Sequence, residues 1–195
     1  MQWRARTIPQ LRSAAVALSE RELLEQAKAG DLEAFAEFMH AFERRIRTVV
    51  YRLLDDARDV DEAVQDTFVQ AWRNLERFRG DAAPSTWLYR IAVNEALMRR
   101  RRKTVPTTEL QETTVAGGED AFAAADARAF LIDRLRRLPA ELRAAVVLRD
   151  LEGLSNEEVA QALEISLAAA KSRIHRARMQ LRAELERWER GAGGT

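Results

Sequence analysis

The residues with the clearest chemical potential lie near the end of the chain, where cationic side chains gather. The segment from Lys171 to Arg182 contains five Lys or Arg residues and no acid. At about 100° per residue, Ser172 and Arg176 lie nearly opposite the apolar residues of this segment. Arg can donate two hydrogen bonds to guanine in the major groove. The pattern predicts a basic helix face that reads DNA; the alternative is an ordinary solvated charged face.

A helix, a turn and a second helix would position this face. Ser155, followed by Glu158 three residues later, is typical of a capping box at a helix start. The predicted turn falls around Glu164 and Ile165, and Ser166 caps the second helix. Glu164 stands where such turns generally have a left-handed glycine, so a distorted or lengthened turn is an alternative. We expect the second helix to pack inward through Leu167, Ala170, Ile174, Ala177, Leu181, Leu185 and Trp188.

The composition limits the classes of protein that fit this motif. The chain has no Cys and two His, so it offers no disulfide and no thiolate metal site. His40 and His175 are far apart, and we predict no metal and no other cofactor. No apolar run approaches the roughly 18 residues of a membrane span. Because the run from Ala14 to Leu18 is too short for a signal peptide, we expect a cytoplasmic protein.

The net charge of +1 conceals a strong segregation of charge along the chain. Residues 55–66 hold six acids and one Arg, residues 99–103 read RRRRK, and residues 105–126 hold five acids and no base. Each block can face a different partner, or water. The RRRRK cluster suits phosphate contacts, whose affinity depends strongly on salt.

Helical periodicity divides the chain into two small all-α domains. Apolar residues recur at helical spacing over residues 31–54, 60–75 and 87–98, which predicts one helix bundle with Trp72, Trp87 and Tyr89 packed inside it. A second apolar set begins near Phe130 and leads into the helix-turn-helix. No segment alternates as a strand does. We expect an N-terminal arm over residues 1–18, a bundle over 19–103, a flexible linker over 104–125 and a helix-turn-helix domain over 126–190.

The order of these parts resembles that of the extracytoplasmic-function (ECF) sigma factors of the sigma-70 family, which keep regions 2 and 4 of the larger factors. The matching stretches are DVDEAVQDTFVQAWRNLERFRG, STWLYRIAVNEALMRRRR and LPAELRAAVVLRDLEGLSNEEVAQALEISLAAAKSRIHRAR. The resemblance implies a protein that is not an enzyme. It also implies three partners: core RNA polymerase, promoter DNA in double- and single-stranded form, and an anti-sigma factor.

The resemblance assigns the acidic helix to the clamp helices of the largest polymerase subunit, and it implies a further contact with the flap of the second-largest subunit. Carboxylates would steer a basic partner surface, while Gln65 and Val69 would add hydrogen bonding and packing. The alternative is an ordinary solvated acidic face. The predicted docking residues are Asp59, Asp61, Glu62, Gln65, Asp66 and Val69.

The resemblance also assigns two readers of promoter DNA. The loop from Phe78 to Thr86 and the following helix correspond to the part that captures the unstacked minus-10 element, where stacking and hydrogen bonds offset the cost of base flipping. Asn94 follows Trp87 by seven residues, so we expect its amide near the apolar stripe, bonded to DNA or, alternatively, within the bundle. The predicted minus-10 residues are Arg79, Gly80, Asp81, Ser85, Thr86, Arg90, Asn94, Arg99 and Arg100, and the predicted minus-35 residues are Ala169, Lys171, Ser172, Arg173, His175 and Arg176.

The linker is long enough for both domains to engage one promoter, because about 22 extended residues reach about 70 Å and one DNA turn spans about 34 Å. A competing hypothesis is a conventional helix-turn-helix regulator that binds duplex DNA without polymerase, with residues 20–103 as a dimerisation or sensor domain. A helical hydrolase or nucleotide-binding enzyme is a third, but the chain has no phosphate-cradling Gly loop and no HExxH motif.

Overall fold

The computed structural model describes residues 18–103 and 130–192. Within these two ranges every regular element is helical, which confirms the predicted all-α class. The predicted linker and the predicted arm up to residue 17 lie outside the described residues. None of the described helices is long and apolar enough to cross a membrane.

Polar caps define the helix starts of the N-terminal unit. Ser19 and Glu22 form a reciprocal capping box, and Asp31 accepts hydrogen bonds from the amides of Glu33 and Ala34 at 2.9 and 3.1 Å. These bonds satisfy amides that a helix start leaves without partners. The elements are α1 (Glu20–Lys28), α2 (Leu32–Leu53), α3 (Ala57–Arg73), a 3-10 turn (Leu75–Arg77) and α4 (Pro84–Lys103).

The core of this unit follows the aromatic stripe of α2. Phe38 and Phe42 are at most 1% exposed, and their ring centroids lie 4.8 Å apart. Trp87 and Tyr89 are buried, as predicted. Trp72 is 41% exposed, contrary to prediction, although its ring packs against Phe35 of α2 with centroids 4.9 Å apart.

The C-terminal unit contains the predicted helix-turn-helix. Ser155 and Glu158 form the predicted capping box, with N to O distances of 2.7 and 3.1 Å, and the Ser166 hydroxyl accepts from the amide of Ala169 at 3.2 Å. The elements are a helical segment over residues 130–137 (α5), α6 (Ala140–Val146), a π-helical turn (Val147–Leu151), α7 (Asn156–Ala162) and α8 (Leu167–Ala192).

The middle of α8 packs as predicted, but its ends do not. Ala170, Ile174 and Ala177 are at most 3% exposed. α8 has 26 residues, whereas α6 and α7 have seven each, so these two neighbours cover only part of its length. The exposed ends of the predicted stripe are Leu167, Leu185 and Trp188, the last of which has its ring centroid 4.8 Å from that of Phe130.

The two helical units pack directly against each other. α4 contacts α7, and α2 contacts α6 and the π-helical turn. The buried side chains of both units form one continuous hydrophobic cluster. Sequence analysis predicted two domains joined by a linker and did not foresee this contact.

Candidate nucleic-acid interface

The outer face of α8 presents the predicted minus-35 side chains to solvent. Lys171 and Arg176 are exposed and make no hydrogen bond or ion pair with any other described residue. Arg173 is half-buried, and its guanidinium lies 2.8 Å from the Glu141 carboxylate. Of the remaining three, Ala169 is half-buried, and Ser172 and His175 are exposed. The face therefore offers at least two cationic side chains whose donors are available to a DNA groove.

The turn before α8 keeps a left-handed residue at the position where helix-turn-helix turns generally have glycine, and it is neither distorted nor lengthened. Glu164 has φ 52°, and it is the one non-glycine residue with positive φ in the described ranges. Its amide donates to the carbonyl of Gln161 at 3.3 Å, and that of Ile165 donates to the carbonyl of Ala160 at 3.0 Å. This pair of bonds is a Schellman motif, which normally has glycine at the position of Glu164.

The predicted minus-10 loop is built around Gly80. Gly80 has φ 79°, and its carbonyl accepts from Nη2 of Arg21 at 3.1 Å. The backbone angle favours glycine, and a Cβ on Gly80 would require the Arg21 guanidinium to move away from the loop. Sequence reasoning missed Arg21, because it lies in α1, 59 residues before Gly80, and no local pattern relates the two.

A cavity of about 340 Å³ lies beside this loop. The rings of Phe78 and Trp87 pack with centroids 5.2 Å apart. Thr86 is 2% exposed, and its hydroxyl has no hydrogen-bond partner in the described part of the chain. Buried hydroxyls are rarely left without partners, so this one is available to a ligand that displaces the side chains covering it. The lining includes Phe78, Arg79, Gly80, Asp81, Thr86, Trp87, Arg90 and Gln161.

Three other predicted minus-10 residues lie along α4, outside the lining of this cavity. Arg99 is tied inside the bundle, with its Nη1 2.7 Å from Glu62 and its Nη2 against Asp66. Arg100 is half-buried. Asn94 is exposed, so the expectation that its amide lies near the buried stripe was wrong. Phe78 of the preceding loop packs on Trp87 and helps to bury it. The loop does not reach Asn94, which lies two turns further along α4.

Ser85, the remaining predicted residue of this reader, occupies the first turn of α4 and is half-buried. It does not line the cavity. The structure therefore gathers five of the nine predicted minus-10 residues at one place and distributes the other four along α4.

The predicted docking residues share the outer face of α3. Asp61 is paired with Arg47 of α2, and Glu62 and Asp66 with Arg99 of α4. These ion pairs partly neutralise the acidic face, although the side chains of Asp61 and Glu62 remain 70% and 65% exposed. Asp59 and Asp66 are half-buried, and Gln65 and Val69 are exposed.

An apolar groove of about 480 Å³ adjoins this acidic face. Gln65 and Val69 contribute to it, as do five residues that sequence reasoning did not assign to docking: Phe35, Met39, Phe68, Trp72 and Arg73. The exposure of Trp72 is the signal that would have identified these groove residues. The spacing of apolar residues along a helix does not show which of them lie at the exposed edge of the apolar face. Within the described ranges, no group of three or more His, Asp or Glu residues is arranged to hold a metal ion.

Comparison with known proteins extends these local observations to the whole chain. Residues 38–105 match the family model described as Sigma-70 region 2, and residues 131–181 match the one described as Sigma-70, region 4. The chain is 34% identical over 176 residues to the ECF RNA polymerase sigma-E factor of Escherichia coli strain K12, covering 83% of this chain and 91% of that one. It is 33% identical over 173 residues to the RNA polymerase sigma-H factor of Pseudomonas aeruginosa, covering 82% and 90%.

A solved structure shows the same likeness in three dimensions. CnrH, in complex with the cytosolic domain of CnrY, has a TM-score of 0.68 and 30% sequence identity with this chain. The match covers 86% of this chain and 97% of CnrH. It therefore includes both helical units.

Proposed function

The chain belongs to the extracytoplasmic-function sigma factors of the sigma-70 family, and from this premise we propose which of its surfaces carry each step of promoter-specific transcription initiation. The family function is to bind core RNA polymerase and direct it to promoters. The observation that carries the assignment is the similarity to a sigma factor over 91% of that protein's length. We assign the arm to residues 1–18, region 2 to 19–103, the linker to 104–125 and region 4 to 126–190.

The outer face of α3 is our candidate for polymerase docking. It combines exposed carboxylates with the apolar groove beside Val69 and Trp72. Charge would steer the approach of a basic surface, and burial of the groove would supply affinity. A basic and apolar pair of helices, such as the polymerase clamp helices, has the chemistry to match this surface. The flap of the second-largest subunit is the partner we assign to region 4.

The cavity beside Gly80 is our candidate for an extruded base of the minus-10 element. The Thr86 hydroxyl would form a hydrogen bond with a base edge, and the neighbouring aromatic rings and Arg90 would supply apolar and cationic contacts. Arg79, Asp81, Ser85, Asn94, Arg99 and Arg100 would contact flanking bases and phosphates. Because Arg99 already holds Glu62 and Asp66, a phosphate would have to compete with these carboxylates.

The outer face of α8 is our candidate reader of the minus-35 element. Arg176 and Lys171 are exposed and unpaired among the described residues, so they meet a DNA groove without breaking an internal contact. The protein would work in the cytoplasm, where the polymerase is, and would have no catalytic activity of its own. An anti-sigma factor is a further proposed partner, and the similar protein CnrH was solved in complex with the cytosolic domain of a second protein, CnrY.

Mixing the purified protein with sigma-free core polymerase tests the assignment. We expect a stable complex on size-exclusion chromatography and promoter-dependent transcripts. Val69→Asp, which puts a charge on the docking face, should weaken the complex, whereas Glu37→Ala on the exposed face of α2 should not. Absence of a complex would contradict the assignment. A footprint on duplex DNA without polymerase would instead favour a conventional helix-turn-helix regulator.

A further inference from the structure

We propose that Arg21 and Lys28 of α1 are positioning residues for the minus-10 loop (residues 78–86), and that they promote promoter opening by holding the loop in shape. This inference rests on the proposed function. Neither residue lines the cavity beside Gly80, so each acts through the loop residue that it contacts and not by touching the extruded base.

The minus-10 loop has few bonds of its own. Residues 78–83 belong to no helix. In the part of the chain that the structure describes, one hydrogen bond is made to residues 79–82, the bond of 3.1 Å from Nη2 of Arg21 to the Gly80 carbonyl. Because helical hydrogen bonds do not fix this segment, its conformation depends on the contacts that neighbouring elements make with it.

Two cations on one face of α1 make such contacts. Arg21 and Lys28 are seven residues apart, which places them on the same side of the helix, two turns from each other. Arg21 reaches Gly80, and the Lys28 ammonium lies 5.2 Å from the centroid of the Phe78 ring. The face of an aromatic ring attracts a cation at this distance. α1 therefore contacts the loop at its first residue and again two residues later.

α1 is a firm base for these contacts because it is anchored in the core. Leu23, Leu24 and Ala27 are at most 4% exposed, and the helix packs against α2, α4 and the 3-10 turn. The capping box of Ser19 and Glu22 closes its first turn. A binding site must be held within about 0.5 Å of its working geometry by the residues around it. α1 gives the minus-10 loop support of this kind.

The place of the Arg21 guanidinium makes its effect depend on Gly80. A Cβ added to Gly80 would require the guanidinium to move away, so Gly80→Ala also removes the bond from Arg21. Two substitutions that act through one contact have non-additive effects when they are combined. Arg21→Ala should therefore change little in a protein that already contains Gly80→Ala.

Promoter opening by the full-length protein with Escherichia coli core polymerase tests the proposal, with permanganate reactivity on a promoter selected with the parent as the measurement. We expect opening to fall about five-fold for Arg21→Ala, the effect of one lost hydrogen bond, and about two-fold for Lys28→Met. Arg21→Lys keeps the charge and a donor and should recover part of the loss. The matched control is Gln26→Ala, at an exposed position on another face of α1, which should open normally.

The combined variant and two binding measurements separate positioning from other roles. Arg21→Ala with Gly80→Ala should lower opening by about 30-fold, as Gly80→Ala does alone, whereas a loss of about 150-fold, the product of two independent effects, would overturn the proposal. Arg21→Ala should leave binding to the minus-35 duplex unchanged, and an equal loss there would reveal general destabilisation instead. A phosphate contact would lower the salt dependence of promoter binding, so a smaller salt slope for Arg21→Ala would also overturn the proposal.

Trypsin cleavage after Arg79 in the free protein reports on the loop without polymerase. A loop released from Arg21 opens more often and is cut faster, so we expect faster cleavage after Arg79 in Arg21→Ala and no change in Gln26→Ala. Equal cleavage in the two variants would overturn the positioning role. If no protein binds core polymerase, the proposed function fails and the effect on opening fails with it, while the cleavage still shows whether Arg21 holds the loop.

Discussion

The two candidate DNA readers of this protein are built in opposite ways. The candidate minus-10 reader is a loop folded over a cavity, with a buried Thr86 hydroxyl and a glycine of positive φ that contacts Arg21. The minus-35 reader is the solvated face of α8, where Arg176 and Lys171 have no internal partner among the described residues.

The difference follows from what each reader must do. An extruded base loses its stacking and pairing, and an enclosed site can restore these contacts. A base pair read in the major groove stays stacked, so the protein needs only mobile donors that project from a rigid helix. Substitutions in the minus-10 loop should therefore reduce function by changing the shape of the site. Substitutions on the outer face of α8 should reduce it by removing single hydrogen bonds to bases.

The largest effect is expected for Gly80→Ala, which attacks the shape of the first reader. An L residue in the left-handed region costs about 1–2 kcal/mol, and loss of the Arg21 hydrogen bond costs about 1 kcal/mol more. The loop can avoid these costs only by leaving its native shape, so we expect promoter opening to fall by about 30-fold. Permanganate reactivity of unpaired thymines measures it.

Gly30→Ala is the matched control for this change. Gly30 also has positive φ, 96°, but a Cβ there meets no atom within 4 Å. It should cost stability and leave opening by the folded protein unchanged. Equal opening by the two variants would show that the Gly80 loop does not shape the minus-10 site.

Arg176→Ala tests the second reader and should have the next largest effect. We expect sequence discrimination to fall by about 1–3 kcal/mol at one upstream base pair and to stay constant at the minus-10 element. Binding to a panel of single-substitution promoters measures it. Arg182→Ala, whose side chain pairs with Glu186, is the control. A uniform loss over the whole panel would make Arg176 a phosphate contact.

Thr86→Val should have a smaller effect, with opposite signs in two assays. Replacing a buried hydroxyl that has no partner stabilises the free protein by about 1 kcal/mol, whereas loss of its bond to DNA weakens opening by about 0.5–1.5 kcal/mol. Thr67→Val is the control, because the Thr67 hydroxyl donates to the Ala63 carbonyl at 2.6 Å. It should destabilise the fold and spare opening. A Thr86→Val protein that opens promoters normally would remove Thr86 from the site.

The smallest effect is expected for Glu164→Gly in the turn before α8. Glycine relieves about 1 kcal/mol of left-handed strain, and the exposed ion pair with Arg90 is worth less than that. The melting temperature should rise by a few degrees, while Glu164→Ala, which keeps the strain and loses the pair, should lower it. A fall for glycine would mean that the contact with Arg90 outweighs the strain.

Local patterns predicted the helices and their caps well. The capping box at Ser155 and the cap at Ser166 depend on neighbours within a few residues, and the structure has both. The helical spacing of apolar residues did not predict burial correctly where burial depends on packing against a distant element. Trp72 and Trp188 belong to helical stripes, yet they are 41% and 51% exposed because neighbouring helices cover them only in part.

The same limit applies to the candidate sites. Asn94 has the spacing of a stripe residue, but the loop that covers Trp87 does not reach it. Arg21 of α1 contacts the loop at Gly80, and Gln161 of α7 lines the cavity beside it, although both are far away in the sequence. Contacts of this kind follow from tertiary packing, which no single segment encodes.

Transcription by core polymerase with this protein from templates randomised upstream of the start site tests the central claim most directly. A chain that reads DNA with both units should select two separate blocks of preferred sequence. Gly80→Ala should weaken use of the downstream block, and Arg176→Ala should relax one position of the upstream block. Selection of a single upstream block, or binding of the duplex without any transcript, would contradict the account.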